Sequence, residues 1–510
     1  MFECIIHTFV ALNKLLLSVI KKLAGETALY GLSSILARMV NFILVPLHTA
    51  VFKERNDYGV IGQLYGWIAL VIVFYTMRLE TAYFRYAQQE NDSNVYPTAK
   101  SGMIGISILC TTLIYFLAHP IAAWLQVEGF AYLIRLAAGI AALDAICELP
   151  FARLRLQKKP RRFVTIKVIN IGINVVLNFI LLLWLPRQKY SFFDPEQLVI
   201  YVFLANLFAS LFTLLLLSKE FSAEGFKFDP AEFRKILNYS LPLLVVGLAG
   251  VFNDAMTRQF LGWLAPGSVV QKQILMGEYN ACVKFAVFIT LFVQAFRYAA
   301  EPFFFKHMHQ QNAKNDYSRI TTYFTYFMMI GFAAITLYLD FFKSWIVRTP
   351  AYLNAIGIVP VVLMANVFLG IYYNVSNWYR LTDRTRYGLY SALIGVGLTI
   401  LFNILLVPRF GYMGTAWSML ICYAGMTLVT YLWGQKYYPV PFEIPKILAA
   451  VGGGVGIYLI SLWIKNNFSW PFFLVFAVNS VLMGLFIWIL FGQIIRQQWV
   501  IYKTKPSNQV

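Results

Sequence analysis

Long apolar stretches follow one another along this chain with too little sequence between them for soluble domains. A bilayer-spanning helix needs about 20 mostly apolar residues, and fourteen stretches of roughly that length can be marked, from 24–52 and 58–86 to 447–464 and 470–495. Hydrophobic residues make up 59% of the chain and charged residues 13%, against roughly 25% charged in soluble domains. A chain this poor in charge cannot cover its own surface with groups that water solvates. Lipid suits it, and in lipid a helix satisfies its own backbone hydrogen bonds. The expectation is an all-α integral membrane protein with about fourteen transmembrane helices. Pro46, Pro242, Pro360, Gly247, Gly250, Gly395 and Gly397 fall inside the stretches, where neighbouring helices can re-satisfy the freed backbone groups.

The formal net charge is +19. In a soluble chain that excess would suggest nucleic acid. Here most Lys and Arg lie in short segments between apolar runs, which excludes nucleic acid as a partner and makes them topology signals. With the N-terminus inside, inner segments carry well over twice as many Lys and Arg as outer loops. Both termini are therefore expected in the cytoplasm of a bacterial cell, with the chain in the inner membrane. The strongest single signal is Arg153, Arg155, Lys158, Lys159, Arg161 and Arg162, between the fourth and fifth stretches. Residues 1–23 have an acid where a basic n-region belongs, so they read as a cytoplasmic or interfacial lead-in, not a signal peptide. Residues 496–510 read as a cytoplasmic tail.

A repeat divides the chain. Phe84-Arg85-Tyr86-Ala87 recurs as Phe296-Arg297-Tyr298-Ala299, an offset of 212. Arg155-Leu156 recurs as Arg380-Leu381, Arg161 as Arg386 and Asn178 as Asn403, all at an offset of 225. Six helices is an even number, so the two halves enter the membrane in the same sense, as parallel repeats about an axis along the membrane normal. The expected organisation is a six-helix lobe over 24–218, a cytoplasmic linker over 219–235, a second six-helix lobe over 236–437 and two further helices within 445–495.

Ionisable groups at membrane depth cost about 2.5–3.5 kcal/mol each on insertion scales and stay only where they meet protein or water. The bases there are Arg38, Arg78, Arg85, Arg135, Lys167, Arg258, Lys284 and Arg297; the acids are Glu80, Asp144, Glu148, Asp254, Glu278 and Glu301. Helical spacing pairs Asp254 with Arg258 and Arg297 with Glu301, four residues apart; such pairs either staple helices or line a site. Arg85, Arg153 and Arg297, near cytoplasmic ends, either snorkel to headgroups or face a cavity. Arg38 has no acid within four residues, and Arg78 lies deep beside Glu80. Guanidinium grips phosphate oxygens in bidentate fashion and never deprotonates. The candidate substrate site is thus a wet cationic cavity carrying Arg38, Arg78, Arg85, Arg258 and Arg297. Asn41, Asn170, Asn174 and Gln294 offer neutral donors, for sugars or for bonds between helices.

Catalytic motifs are missing. There is no GxxxxGK[ST] loop and no GxSxG elbow, and the five cysteines and five histidines show no metal or disulfide spacing. The chain reads as no enzyme and as needing no cofactor. Its energy would come from an ion gradient or membrane potential, H+ or Na+, with Glu80, Asp144, Glu148 and Asp254 as candidate coupling sites.

Several segments carry a family resemblance: Gly25 to Thr49, Asp57 to Trp67, the FRYA tetrapeptide, the basic LRLQKKPRRF link with its counterpart YRLTDRTRYG, and Asn403 to Ser418. With two parallel halves and two extra helices, the chain resembles the polysaccharide-transporter (Wzx-like) branch of the multidrug/oligosaccharidyl-lipid/polysaccharide (MOP) flippase superfamily. The resemblance implies a MATE/MOP-like fold. It also implies a flippase carrying an undecaprenyl-diphosphate-linked oligosaccharide, a lipopolysaccharide or O-antigen precursor, by alternating access. Membrane lipids and polysaccharide assembly proteins would be its further partners. A lipid II flippase and a cation-coupled multidrug exporter are the alternatives within transport. A membrane glycosyltransferase or O-antigen ligase would need a sizeable outer loop, and the outer loops here are short.

Overall fold

The computed structural model describes residues 42–89, 92–188, 194, 197–307, 312–382 and 384–504. The lead-in, Arg38 and Asn41 lie outside these residues. Among them the regular elements are all helical. The last turns of the first crossing are α1 (Phe42–Val51). There follow α2 (Arg55–Ala87), α3 (Asn94–Phe116), α4 (Ala131–Leu156), α5 (Pro160–Phe179) and α6 (Leu198–Leu216). Next come α7 (Pro230–Leu264), α8 (Val269–Arg297), α9 (Ala313–Leu337) and α10 (Val359–Val375). The long run Arg386–Tyr437 is two crossings, α11 (386–410) and α12 (412–437), parted at Gly411, whose φ of 53° and ψ of −129° lie outside the helical region. Finally α13 spans Ile444–Asn467 and α14 spans Phe472–Thr504. Twelve described helices are long and apolar enough to cross a membrane. Since one holds two crossings and α1 adds another, the protein is a multi-pass membrane protein with about fourteen.

Local chemistry sets the helix starts. Pro160 and Pro230 occupy first-turn positions where no N–H is needed. Asp229 caps α7 by accepting from the N–H of Ala231 at 2.8 Å. Ser268 and Gln271 form a reciprocal capping box at the start of α8. The outer surface is apolar where a soluble protein's would be polar: Phe473 is 83% exposed, and Leu113, Phe116, Leu215 and Ile489 also face outward.

α2 packs on α4 in its own half and on α7 and α8 of the other. In the first half α3 packs on α4, and α5 and α4 on α6; in the second, α10 packs on α9 and on α11–α12. The pair α13–α14 rests on α9, where Asn479 donates to the Leu337 carbonyl at 2.7 Å and accepts from Ser461 at 2.7 Å.

One crossing departs from the continuous helix expected over 58–86. Met77 (φ 47°) and Arg78 (φ 56°) are both left-handed, so α2 breaks and restarts at Leu79. Two consecutive non-glycine residues in that region cost on the order of 1–2 kcal/mol each. Packing must hold them there, and it does so from both sides: Tyr75, Leu79, Ala82 and Tyr83 around the break are all buried.

Candidate functional site

The two halves meet most closely at the end of the bundle that carries Arg55. A Cβ built on Gly59 of α2 would lie 2.0 Å from the Gln273 carbonyl oxygen of α8. One built on Gly277 would lie 2.1 Å from the Arg55 carbonyl oxygen. Only hydrogens fit there, so the helices cross backbone to backbone, as small residues allow in membranes. Beside the crossing Arg55 pairs with Glu278, a 3% exposed acid on α8, and Asn354 donates to the same carboxylate oxygen at 2.9 Å. Gln63 donates to Leu125 O at 2.7 Å and to Gln259 Oε1 at 2.9 Å. Gln273 reaches Gln126 O at 3.0 Å and Trp263 reaches Trp124 O at 2.9 Å. The Arg55 end is therefore shut by bonds between the halves, from Arg55 to Glu278, Gln63 to Gln259, Gln273 to Gln126 and Trp263 to Trp124.

The basic residues expected to form a cationic cavity are spread along the path leading away from that end. Arg258 donates to Asn280 Oδ1 at 3.0 Å and lies beside Gly66. Arg78 projects from the break in α2 toward α7, where a Cβ on Gly247 would come within 2.5 Å of its Nε. Among the described residues no hydrogen bond or ion pair meets the Arg78 guanidinium. Arg85 stacks over Tyr239 of α7, 4.5 Å from the ring centre. Arg78, Arg85 and Arg258 thus all lie where α2 meets α7. Arg297 does not join them: it lies over Tyr373 at 4.7 Å, in a pocket within the second half. The side chains of Asp254 and Glu301 lie outside the described residues.

The candidate ion-coupling acids collect inside the first half. Ser210 on α6 donates to Asp144 of α4 at 2.6 Å. Arg155 donates to Glu80 at 2.9 Å. Lys167, whose Nζ lies 4.0 Å from the Phe151 ring centre, acts electrostatically on both Asp144 and Glu148. Three helices, α2, α4 and α5, thus supply the charges of this cluster, and α6 adds the Ser210 hydroxyl.

Other polar side chains are structural. Asn170 donates to Ala209 O and Thr213 Oγ1 of α6, so it binds helix to helix. Arg153 does not snorkel. Its side chain is buried, stacks over Tyr96 at 4.4 Å and pairs with Glu224 at 2.8 Å, because the chain that joins the halves folds back over it. Lys100, 1% exposed, fastens the same segment by donating to the carbonyls of Phe221, Ala223 and Gly225 at 2.6, 3.1 and 2.7 Å. Arg162 completes the clamp on Glu220 at 2.9 Å. Sequence reasoning missed this clamp and the Gly59–Gly277 crossing. The one available signal was Glu278, an acid within an apolar helix with no base four residues away.

Comparison with known proteins adds the following. The profile of the family described as "Polysaccharide biosynthesis protein" matches residues 23–308. No curated protein sequence matches the chain. Among solved structures, the lipid II flippase MurJ in an inward closed conformation superposes with a TM-score of 0.71 at 13% identity, covering 92% of this chain and 99% of that one. A multidrug resistance MATE family transporter of the MOP superfamily, in an inward-facing conformation, gives a TM-score of 0.58 at 14% identity, with 82% and 96% covered. MATE in complex with MaL6 gives 0.55 at 14%, with 84% and 97% covered. The expected fold, two parallel six-helix repeats followed by two helices in the MATE/MOP manner, is the fold found.

Proposed function

The chain belongs to the polysaccharide biosynthesis protein family, and on that premise we propose that it is a flippase. Its substrate is an undecaprenyl-diphosphate-linked oligosaccharide, carried across the inner membrane by alternating access, with both termini in the cytoplasm. The observation that carries the reading is Arg78. Its guanidinium stands at a strained break between the halves, and no described carboxylate neutralises it. A cation kept at such a place needs an anion that comes and goes, and a diphosphate supplies one.

In this reading the Arg55 end is the periplasmic end and is shut, so the structure is the inward state. Substrate enters from the cytoplasmic side toward Arg78, Arg85 and Arg258, with Arg38 as a further proposed contact. The lipid tail stays in the bilayer. To open outward, the halves must part at Gly59 and Gly277 and break the Arg55–Glu278 pair. The charged cluster of Glu80, Asp144, Glu148 and Lys167 is proposed to couple that motion to H+ or Na+, with Asp254 as a further candidate.

The test is translocation in vesicles of defined composition with a labelled lipid-diphosphate sugar. Arg78→Ala is expected to lower the rate at least tenfold, the loss of one charge-assisted bond worth about 1.5–3 kcal/mol. Arg78→Lys is expected to recover only part of it, because an ammonium grips one oxygen where guanidinium grips two. Unchanged flipping in Arg78→Ala sinks the assignment. Likeness to MurJ gives lipid II a place as second reading. It prevails if labelled lipid II is carried faster than the oligosaccharide lipid.

A further inference from the structure

Where α11 begins and α12 ends, the second half carries three bases that no described carboxylate meets. Arg384 lies just before α11, Arg386 opens it, and Lys436 stands in the last turn of α12. All three are exposed. In the first half the matching link is partly neutralised by the protein itself: Arg155 pairs with Glu80 and Arg162 with Glu220.

An aromatic group joins the two helix ends. Tyr387 and Tyr390 of α11 pack on Trp433 of α12, with ring centres 5.2 and 6.5 Å apart. The Tyr437 ring lies 5.0 Å from that of Tyr387. The Arg384 guanidinium sits 4.2 Å from the centre of the Tyr437 ring, and the Lys436 ammonium 5.6 Å from it. The Tyr387 hydroxyl donates to that of Tyr437 at 2.6 Å. A phenol that accepts still has its own proton to give, and among the described residues nothing takes the one on Tyr437. A guanidinium, an ammonium and a phenol O–H thus surround one ring without an anion.

The same helices indicate what kind of anion fits. Trp and Tyr collect where a membrane helix passes from hydrocarbon to headgroups, so this cluster marks that level. From Lys436, Leu432 and Leu428 follow at intervals of four, on one face of α12, and both are more than half exposed. On α11 Leu393, also exposed, lies three residues beyond Tyr390. Bases at headgroup level with an apolar track leading away from them match a phosphate that carries acyl chains. A soluble phosphate would use the bases and leave the track idle.

We propose that the joint end of α11 and α12 binds an anionic glycerophospholipid. Its phosphate lies on Arg384, Lys436 and the Tyr437 hydroxyl, and an acyl chain runs along Leu432 and Leu428. Arg386, at the same level, adds to the field that draws the headgroup in. No residue placed on the path between the halves takes part, so the site does not depend on what is transported.

The experiment uses the purified full-length protein in a nonionic detergent, with binding followed by thermal shift. Three probes are titrated: dihexanoyl phosphatidylglycerol, dihexanoyl phosphatidylcholine and glycerol phosphate. Wild type is expected to bind phosphatidylglycerol saturably and about tenfold more tightly than phosphatidylcholine, whose headgroup cancels the charge of its own phosphate. Arg384→Gln combined with Lys436→Gln is expected to abolish that preference. Tyr437→Phe is expected to weaken phosphatidylglycerol binding about threefold, the loss of one hydrogen bond. The matched control is Lys159→Gln combined with Arg161→Gln, two exposed bases of the corresponding link in the first half. It removes the same charge and is expected to keep the preference. The substituted bases are all exposed, so these variants are expected to fold. Several results would overturn the proposal: equal affinity for the two lipids in wild type, a preference that survives Arg384→Gln with Lys436→Gln, or one lost equally in the control. Binding that Tyr437→Phe leaves unchanged, or glycerol phosphate bound as tightly as the lipid, would overturn it as well.

Discussion

The two halves of this protein share a helix plan and differ in what they bury. At the 225-residue offset, Asp144 faces Leu369 in the alignment, Glu148 faces Tyr373 and Lys167 faces Ala392. At the 212-residue offset Glu80 corresponds to Phe292. The second half packs α10 against α11–α12 with none of these charges at the matching positions, using neutral groups such as Thr427, which donates to Phe368 O at 3.1 Å. The same architecture therefore does not require an acidic cluster for packing. What the first half keeps at a desolvation cost of several kcal/mol, the second half dispenses with. That contrast is the best reason to look for ion coupling in the first half before Asp254 of the second.

The largest effect should come from erasing the contrast. An ion gradient can drive transport only if the ion binds the two states of the carrier with different affinity. The double variant Asp144→Asn with Glu148→Gln makes the first half as neutral as the second at those positions. It is expected to abolish acceleration of flipping by an imposed proton or sodium gradient while leaving slow, gradient-independent exchange in vesicles. Full retention of gradient-driven flipping would mean that the two halves differ in charge for reasons unrelated to energy.

Next in size is the seam between the halves. Gly59→Val forces side-chain atoms into the Gln273 backbone, where overpacking typically costs about 1–3 kcal/mol. The halves can escape that cost by parting. A cysteine placed at Gln63, which is 2% exposed, is expected to react with a membrane-impermeant maleimide in the Gly59→Val background and not in its absence. Gly105→Val is the matched control, since nothing lies within 4 Å of a Cβ built there. Equal labelling in all backgrounds would mean that the halves do not separate along this seam.

Much of this was legible before any coordinates. Apolar runs of membrane length gave the helices, because nothing else satisfies a backbone in lipid. The repeat gave the two halves, because duplicated residues fall on duplicated helices. Arg78 and Glu148 drew attention simply by being charged at depth. The break at Met77–Arg78 was not legible: neither residue is a glycine or proline, and tertiary packing imposes the left-handed conformation. Nor was the crossing of Gly59 with Gly277 legible, because 32 glycines compete for such roles and only the approach of another backbone selects these two. Arg153 was misjudged because its partner, Glu224, lies 71 residues away. Arg297 was grouped with Arg78 on charge alone, and the rotation of α8 places it elsewhere.

The finest test concerns the residue on which the halves agree. Asn178 and Asn403 are repeat counterparts, both 0% exposed, and each amide donates to the carbonyl four residues before it, Asn174 at 2.8 Å and Thr399 at 2.7 Å. They differ at the other end of the amide. Asn178 Oδ1 lies 3.1 Å from His48 Nε2; since the amide oxygen only accepts, the imidazole donates. Asn403 Oδ1 is buried and unmet among the described residues. Replacing Asn178 with Leu strands a buried imidazole N–H and is expected to cost about 1–3 kcal/mol. Replacing Asn403 with Leu removes one weak bond together with an orphan and is expected to be near neutral, within about 1 kcal/mol. Thermal unfolding of the two variants in the same detergent reads the difference. Equal destabilisation would mean that the His48 contact adds nothing, and that the halves use this asparagine in the same way.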